Sequence, residues 1–173
     1  MSVSKLFLGL DSSTQGLKAS IIDQDLKLVY ERAINFDKDL PQFKTSGGAH
    51  QNEDGLTVTA PAIMWVAAVD KLFGLMHDEG APLAEIAAIS GSGQQHGSVW
   101  LNTSAPSVLA NLDASQSLEA QLANAFSVAD SPIWMDFSTT AQCKALESAL
   151  GGAQAVAELT GSRAYERFTG NQI

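Results

Sequence analysis

LFLGLDSSTQGLK, residues 6–18, is the stretch around which the rest of the chain is organised. The apolar run 6–10 reads as a buried strand that stops at Asp11, and the apolar run 17–22 reads as a second strand returning beside it. Between them Ser12, Ser13, Thr14, Gln15 and Gly16 supply hydroxyls, an amide and a permissive glycine, where the backbone must bend sharply and aim its N–H groups outward. Such a turn suits an anion. Asp11, at the strand end, is a candidate metal ligand, because Mg²⁺ takes hard oxygen ligands and commonly binds one or two carboxylates together with substrate phosphate. Lys18 adds a positive charge nearby. The same spacing also fits a plain hairpin whose Ser/Thr/Gly turn satisfies its own backbone.

Composition bounds the remaining possibilities. A chain of 173 residues, 45% hydrophobic and 17% charged, is long enough for one sizeable core, so one domain or most of one is expected. Ten Lys+Arg against nineteen Asp+Glu leave a net charge of −9, which repels nucleic-acid phosphates and anionic membrane surfaces. Neither is an expected partner. The one cysteine, Cys143, can form no internal disulfide, and the opening MSVSKLFLGL lacks a long apolar signal segment. No run approaches the roughly 18 to 20 apolar residues of a membrane span. These features predict a soluble protein in a reducing, cytoplasmic setting.

A third apolar run, 28–33, follows the turn-forming Asp23-Gln24-Asp25, so the chain is expected to open with three adjacent antiparallel strands. Residues 35–55 are polar, hold Pro41, Gly47, Gly48 and His50, and show no periodicity; they read as an irregular surface loop bordering a cleft, with His50 exposed. A helix is expected from a Thr59 cap with Pro61 in its first turn to about Asp78, its apolar positions Ile63, Val66, Ala67, Val69, Leu72, Phe73 and Met76 facing the sheet. Residues 85–90 then read as a buried strand opening into GSGQQHGS, residues 91–98. Its glycines let backbone approach a ligand, while Gln94, Gln95 and His96 can donate and accept hydrogen bonds, which suits a polyhydroxylated ligand. A glycine-rich turn into a strand over 98–101 is the plain alternative.

Downstream, helices are expected over about 117–126, from Ser138 or Thr139 to Leu150, and over 153–160. Trp134 reads either as a ligand platform or as core, and Cys143 as packing inside a helix, since no partner base accompanies it. The segment SRAYERFTGNQI, residues 162–173, is dense in polar groups, among them Arg163, Tyr165, Glu166 and Arg167, and its last residues, Thr169 to Ile173, read as the start of another element.

Taken in order, these motifs resemble the first domain of the FGGY carbohydrate kinases, and within them the eukaryotic-type xylulose kinase branch. LGLDSSTQGLK is similar to the family's first phosphate motif and SGSGQQHGS to its sugar loop, while SPIWMDFSTTAQC and LTGSRAYERFTGNQI match the segments that follow; coverage is essentially residues 1–173. The chain departs from glycerol kinases and bacterial xylulokinases after Trp-X-Asp, where Phe137-Ser138-Thr139 stand in place of an early arginine.

The resemblance implies an α/β, actin-like/ribonuclease H-like ATPase fold, with a mixed sheet opening on the three-stranded meander and flanked by helices. It implies part of the first of two domains around a cleft, with the second absent, and ATP with Mg²⁺ as cofactors. Asp11 would organise the metal, Ser13, Thr14 and Gln15 would face the γ-phosphate with Lys18 nearby, and His96 and Arg167, with Gln95, would hydrogen-bond D-xylulose. The expected reaction forms D-xylulose 5-phosphate and ADP. The family's base lies in a Gly-Asp-Asn motif that these residues do not contain. It is expected beyond Ile173, so the chain alone is expected to be inactive. Another FGGY sugar or polyol kinase, or a non-catalytic sugar-binding fragment, are the alternatives.

Overall fold

The computed structural model describes residues 5–173; residues 1–4, part of the opening stretch read above for a leader, lie outside it. In chain order the elements are β1 (Leu6–Ser12), β2 (Gly16–Ile22), β3 (Leu28–Asn35), α1 (Phe36–Asp39), β4 (His50–Gln51), β5 (Val58–Pro61), α2 (Ala62–Asp78), β6 (Ile86–Gly93), α3 (Ala105–Ala110), α4 (Leu118–Leu122), β7 (Asp130–Pro132), α5 (Thr140–Ala149), α6 (Ala153–Thr160) and α7 (Thr169–Gln172).

The expected meander forms. β1 and β2 pair antiparallel, as do β2 and β3, and β6 joins the free side of β1 in parallel, giving the order β3-β2-β1-β6. Alternation along the strands decides which face is covered: Leu6 and Leu8 of β1 and Leu17, Ala19 and Ile21 of β2 are buried, whereas Gly9, Asp11 and Lys18 are exposed. α2 lies on the apolar face and fully buries Met64, Leu72 and Met76, each contributing about 1.5–3 kcal/mol of hydrophobic stabilisation.

Several expectations need correction. β1 does not stop at Asp11, because Asp11 and Ser12 stay in the ladder opposite Lys18 and Leu17. The helix does not begin at Thr59: residues 58–61 are strand β5, paired to β4 and to β7, and Pro61 is the last extended residue before α2. A Thr-X-Pro sequence fits a helix cap locally, but pairing with a segment some seventy residues away satisfies this backbone as strand. Residues 35–55 are not a peripheral loop either. Asn35 caps α1, and Phe36, Leu40 and Ala49 are buried in the main core. His50 is half-buried, its Nε2 2.8 Å from the Phe43 carbonyl oxygen.

β6, finally, is not buried. It is the edge of its sheet, and beyond Ile86 its residues are exposed, Ile89 to 61%. The expected strand over 98–101 reduces to a single bridge between Leu101 and Phe126. The helix expected over 117–126 is the shorter α4, whose first amides Leu118 N–H and Glu119 N–H donate to the Asp70 carboxylate of α2. The packing role expected of Cys143 holds: it is buried in α5, and burial pushes its thiol pKa up, with the negative charge of Glu166 adding to the effect. The element expected at Thr169 is the short helix α7, and Ile173 follows it as an exposed residue. Among the described residues no helix is long and apolar enough to cross a membrane.

Candidate active site

Parallel pairing of β1 with β6 brings their C-terminal ends together, Asp11 opposite Ser92 and Ser12 opposite Gly93. The polar turn after β1 and the glycine-rich loop after β6 therefore emerge side by side. The Gln94 N–H donates to the Ser12 carbonyl (2.9 Å) and locks the two together. Between them opens a cavity of about 460 Å³ that includes Asp11, Thr14, Gln95, His96, Trp134 and Arg167 in its lining.

The cavity combines few charges with several directional groups. Asp11 is exposed, and its Oδ1 accepts from the Ser92 hydroxyl at 3.1 Å. Among the described residues no cluster of three His, Cys, Asp or Glu side chains forms a metal cage. One carboxylate beside a turn fits Mg²⁺ carried on a phosphate chain, since that ion keeps several waters and takes one or two protein carboxylates. Ser13 curls back on its own turn, both its N–H (3.0 Å) and its hydroxyl (3.2 Å) meeting the Gly16 carbonyl. Among the described residues the Thr14 and Gln15 N–H groups donate to no protein acceptor, and of the two only Thr14 lines the cavity.

His96 and Arg167, 71 positions apart, face the same cavity, and the aromatic groups around them explain how they are held. His96 adopts φ +59° and its ring lies 5.1 Å from that of Phe168. The Arg167 guanidinium carbon lies 5.4 Å from the Phe137 ring centroid and 5.7 Å from that of Tyr165. Phe137, directly after Trp134-Met135-Asp136, thus lies beneath an arginine that arrives from residue 167. Arg167 Nε is buried without a protein partner, an unsatisfied donor of the kind a bound polar ligand would relieve.

Two sequence candidates sit elsewhere. Lys18 reaches Glu31 across the sheet at 2.7 Å and does not line the cavity. Gln15 also lies outside that lining: its amide is beside Gly47, and its carbonyl accepts from the Phe36 N–H at 2.9 Å. Trp134 is no core residue; it is 40% exposed and lines the cavity. Ile173, beyond which the base is expected, is also outside this lining; it borders a separate hollow with Trp100, Leu101 and Val128.

Sequence reasoning missed the buttress behind the phosphate-type turn. The Asp37 carboxylate accepts from the Thr45 hydroxyl (2.7 Å), Gly47 N–H (2.7 Å) and Gly48 N–H (3.0 Å), and so holds Gly48 against the Thr14–Gln15 backbone. The Thr45 hydroxyl foremost, opposed by partial desolvation and aided by Gly48 and Gly47, keeps this carboxyl below the usual carboxylate range. A lowered folded pKa contributes stability that is fully present above the unfolded value, about 3.9, and lost as pH falls through the folded one. Asp37→Asn is therefore expected to flatten the acid-side loss of stability below about pH 4. Acid titration followed by tryptophan fluorescence checks this, and superimposable acid limbs for variant and wild type would contradict the cage.

No family model matches the chain. Over 166 residues it is 54% identical to a xylulose kinase of Mus musculus, an alignment covering 96% of this chain and 30% of that protein. Among solved structures, a xyloylose kinase from Brucella ovis superposes with a TM-score of 0.67 at 19% identity, over 96% of this chain and 28% of that one. A xylulose kinase from Bifidobacterium adolescentis gives 0.63 at 21%, over 99% and 29%. The fold is thus that of the sugar kinases, a mixed α/β sheet of the actin-like ATPase type. The chain spans about 30% of the length of the curated relatives it matches.

Proposed function

We propose that this chain, homologous over nearly its whole length to xylulose kinases, forms part of the first domain of an ATP-dependent D-xylulose kinase that makes D-xylulose 5-phosphate and ADP. The observation that carries the reading is the single cavity in which a turn with free N–H donors and the Asp11 carboxylate faces His96 and the unsatisfied Arg167. One side suits the γ-phosphate of ATP and the other a polyhydroxylated ketose. The proposed setting is the cytoplasm, where the buried Cys143 thiol stays reduced.

In this reading Arg167 donates to ketose oxygens, and His96, whose ring nitrogens can each donate or accept, takes the complementary role. The Thr14 amide, on the part of the turn that lines the cavity, holds the γ-phosphate, and Asp11 would hold Mg²⁺, which when bound neutralises charge developing on the transferred phosphoryl group. Transfer rests on alignment of the sugar hydroxyl with the γ-phosphorus. The chain carries no carboxylate assigned to the hydroxyl proton. That base is proposed to come from the remainder of the protein, beyond Ile173, and residues 1–173 by themselves to give no turnover.

His96→Ala and Arg167→Ala in the complete protein are each expected to weaken D-xylulose binding by about 1–3 kcal/mol, the cost of leaving buried polar partners unpaired. Calorimetry with D-xylulose measures this. Wild-type affinity in both variants would remove the sugar site from this cavity.

A further inference from the structure

We infer that Trp134 is a positioning residue whose indole N–H orients the Thr14 hydroxyl and, through it, the Gln94 amide, so that the cavity presents a ketose with an acceptor at Thr14 and a donor at Gln94. The inference rests on the kinase reading above only for the identity of the ligand.

The argument is one of hydrogen counting. Trp134 Nε1 lies 2.9 Å from Thr14 Oγ1, and an indole nitrogen can only donate, so Thr14 Oγ1 accepts there. A hydroxyl has one proton, and that of Thr14 goes to Gln94 Oε1 at 3.3 Å. Gln94 thereby has its amide sense assigned: Oε1 is engaged, and Nε2 makes no hydrogen bond to the chain among the described residues, which leaves its two donors for a ligand. Three loops, after β1, β6 and β7, are joined by this chain of bonds.

The consequence changes the role of Thr14. Its proton is committed, so outward it offers only a lone pair, which a phosphate oxygen without a proton cannot use but a sugar O–H can. The hydroxyl belongs to the sugar side of the cavity, while the neighbouring backbone N–H groups remain for the phosphate. Trp134 acts on the ketose through Thr14 rather than by ring contact alone. Replacement of tryptophan by phenylalanine keeps an aromatic ring and removes the one donor that sets the chain's direction.

The test uses the complete protein with ¹⁵N-labelled tryptophan. Trp134→Phe identifies the Trp134 indole signal by its loss. Thr14→Val is expected to shift that signal, and Thr14→Ser, which keeps the hydroxyl, to restore it. Calorimetry should show Trp134→Phe and Thr14→Val each weakening D-xylulose about five- to tenfold, with the Mg·ATP affinity of Trp134→Phe within about twofold of wild type. The double variant should be no weaker than either single one. An indole signal indifferent to Thr14→Val, or single losses that multiply in the double variant, overturns the inference. A wild-type protein that binds no D-xylulose sinks the kinase reading instead, while a shifted indole signal still establishes the hydrogen-bond chain.

Discussion

Asp11→Asn in the complete protein is expected to lower phosphoryl transfer by about a thousandfold or more while leaving D-xylulose affinity within about twofold. Asparagine keeps the shape of the side chain and can still accept from the Ser92 hydroxyl now 3.1 Å from Oδ1, so the loop after β6 stays in place. What it removes is the negative charge, in a cavity where no second carboxylate stands among the described lining residues. A neutral amide is a poor ligand for Mg²⁺, so under the proposed function the phosphate chain would lose its anchor beside the turn. A coupled assay of ADP release at several Mg²⁺ concentrations, set beside calorimetry with the sugar, separates the two effects. Full turnover in the variant would remove Asp11 from the phosphate side.

The second large effect is structural. Gly48 has φ +80°, and a Cβ there would overlap the Thr14 carbonyl oxygen and lie 2.9 Å from Gln15 Cα. Both neighbours are backbone of the turn that closes against Gly16, so neither can swing aside. Gly48→Ala is expected to cost about 3–5 kcal/mol, combining the left-handed conformation with the overlap, and to lower ATP use by displacing the Thr14 amide. Gly55 supplies the control: its φ is +67° with nothing within 4 Å, so Gly55→Ala should cost only the conformational part, about 1–2 kcal/mol. Thermal unfolding of both variants reads the difference. Equal shifts would mean that the loop held by Asp37 does not press on the turn.

Much of the site was legible from residues alone, for reasons tied to short-range pattern. The turn after β1 is announced by its hydroxyls and glycine between two apolar runs, and the loop after β6 by glycines alternating with Gln94, Gln95 and His96. Both are local statements about which backbone can bend and which side chains can hydrogen-bond. Asp37 escaped notice because its three donors, from Thr45, Gly47 and Gly48, become a cage only when the chain folds back over eight to eleven residues. Lys18 was assigned to the phosphate side because proximity in sequence cannot tell whether a flexible cation turns toward the turn or toward Glu31 on the next strand.

The sequence by itself determined the meander, the α2 positions Ala67, Val69, Leu72, Phe73 and Met76 that pack on the core, and the two glycine-bearing loops, whereas Ile63 and Val66, expected on the same face, stay outside the core cluster. Tertiary structure alone decided what stands beside what. Residues 58–61 are a strand because β7 pairs with them, although their own composition suits a helix start. Beyond Ile86 the side chains of β6 are exposed because α2 packs over β2 and β3 and not over β6, although EIAAIS has the apolar content of a buried strand. The direction of the Thr14 hydroxyl is set by Trp134, 120 positions away. Arg167 lines the same cavity as His96 because the chain from β7 through α6 returns to the ends of β1 and β6. Periodicity fixes which face of an element is apolar, but a hydrogen bond's partner and direction depend on the group that folding brings opposite it, and that group leaves no mark on the residues next to it.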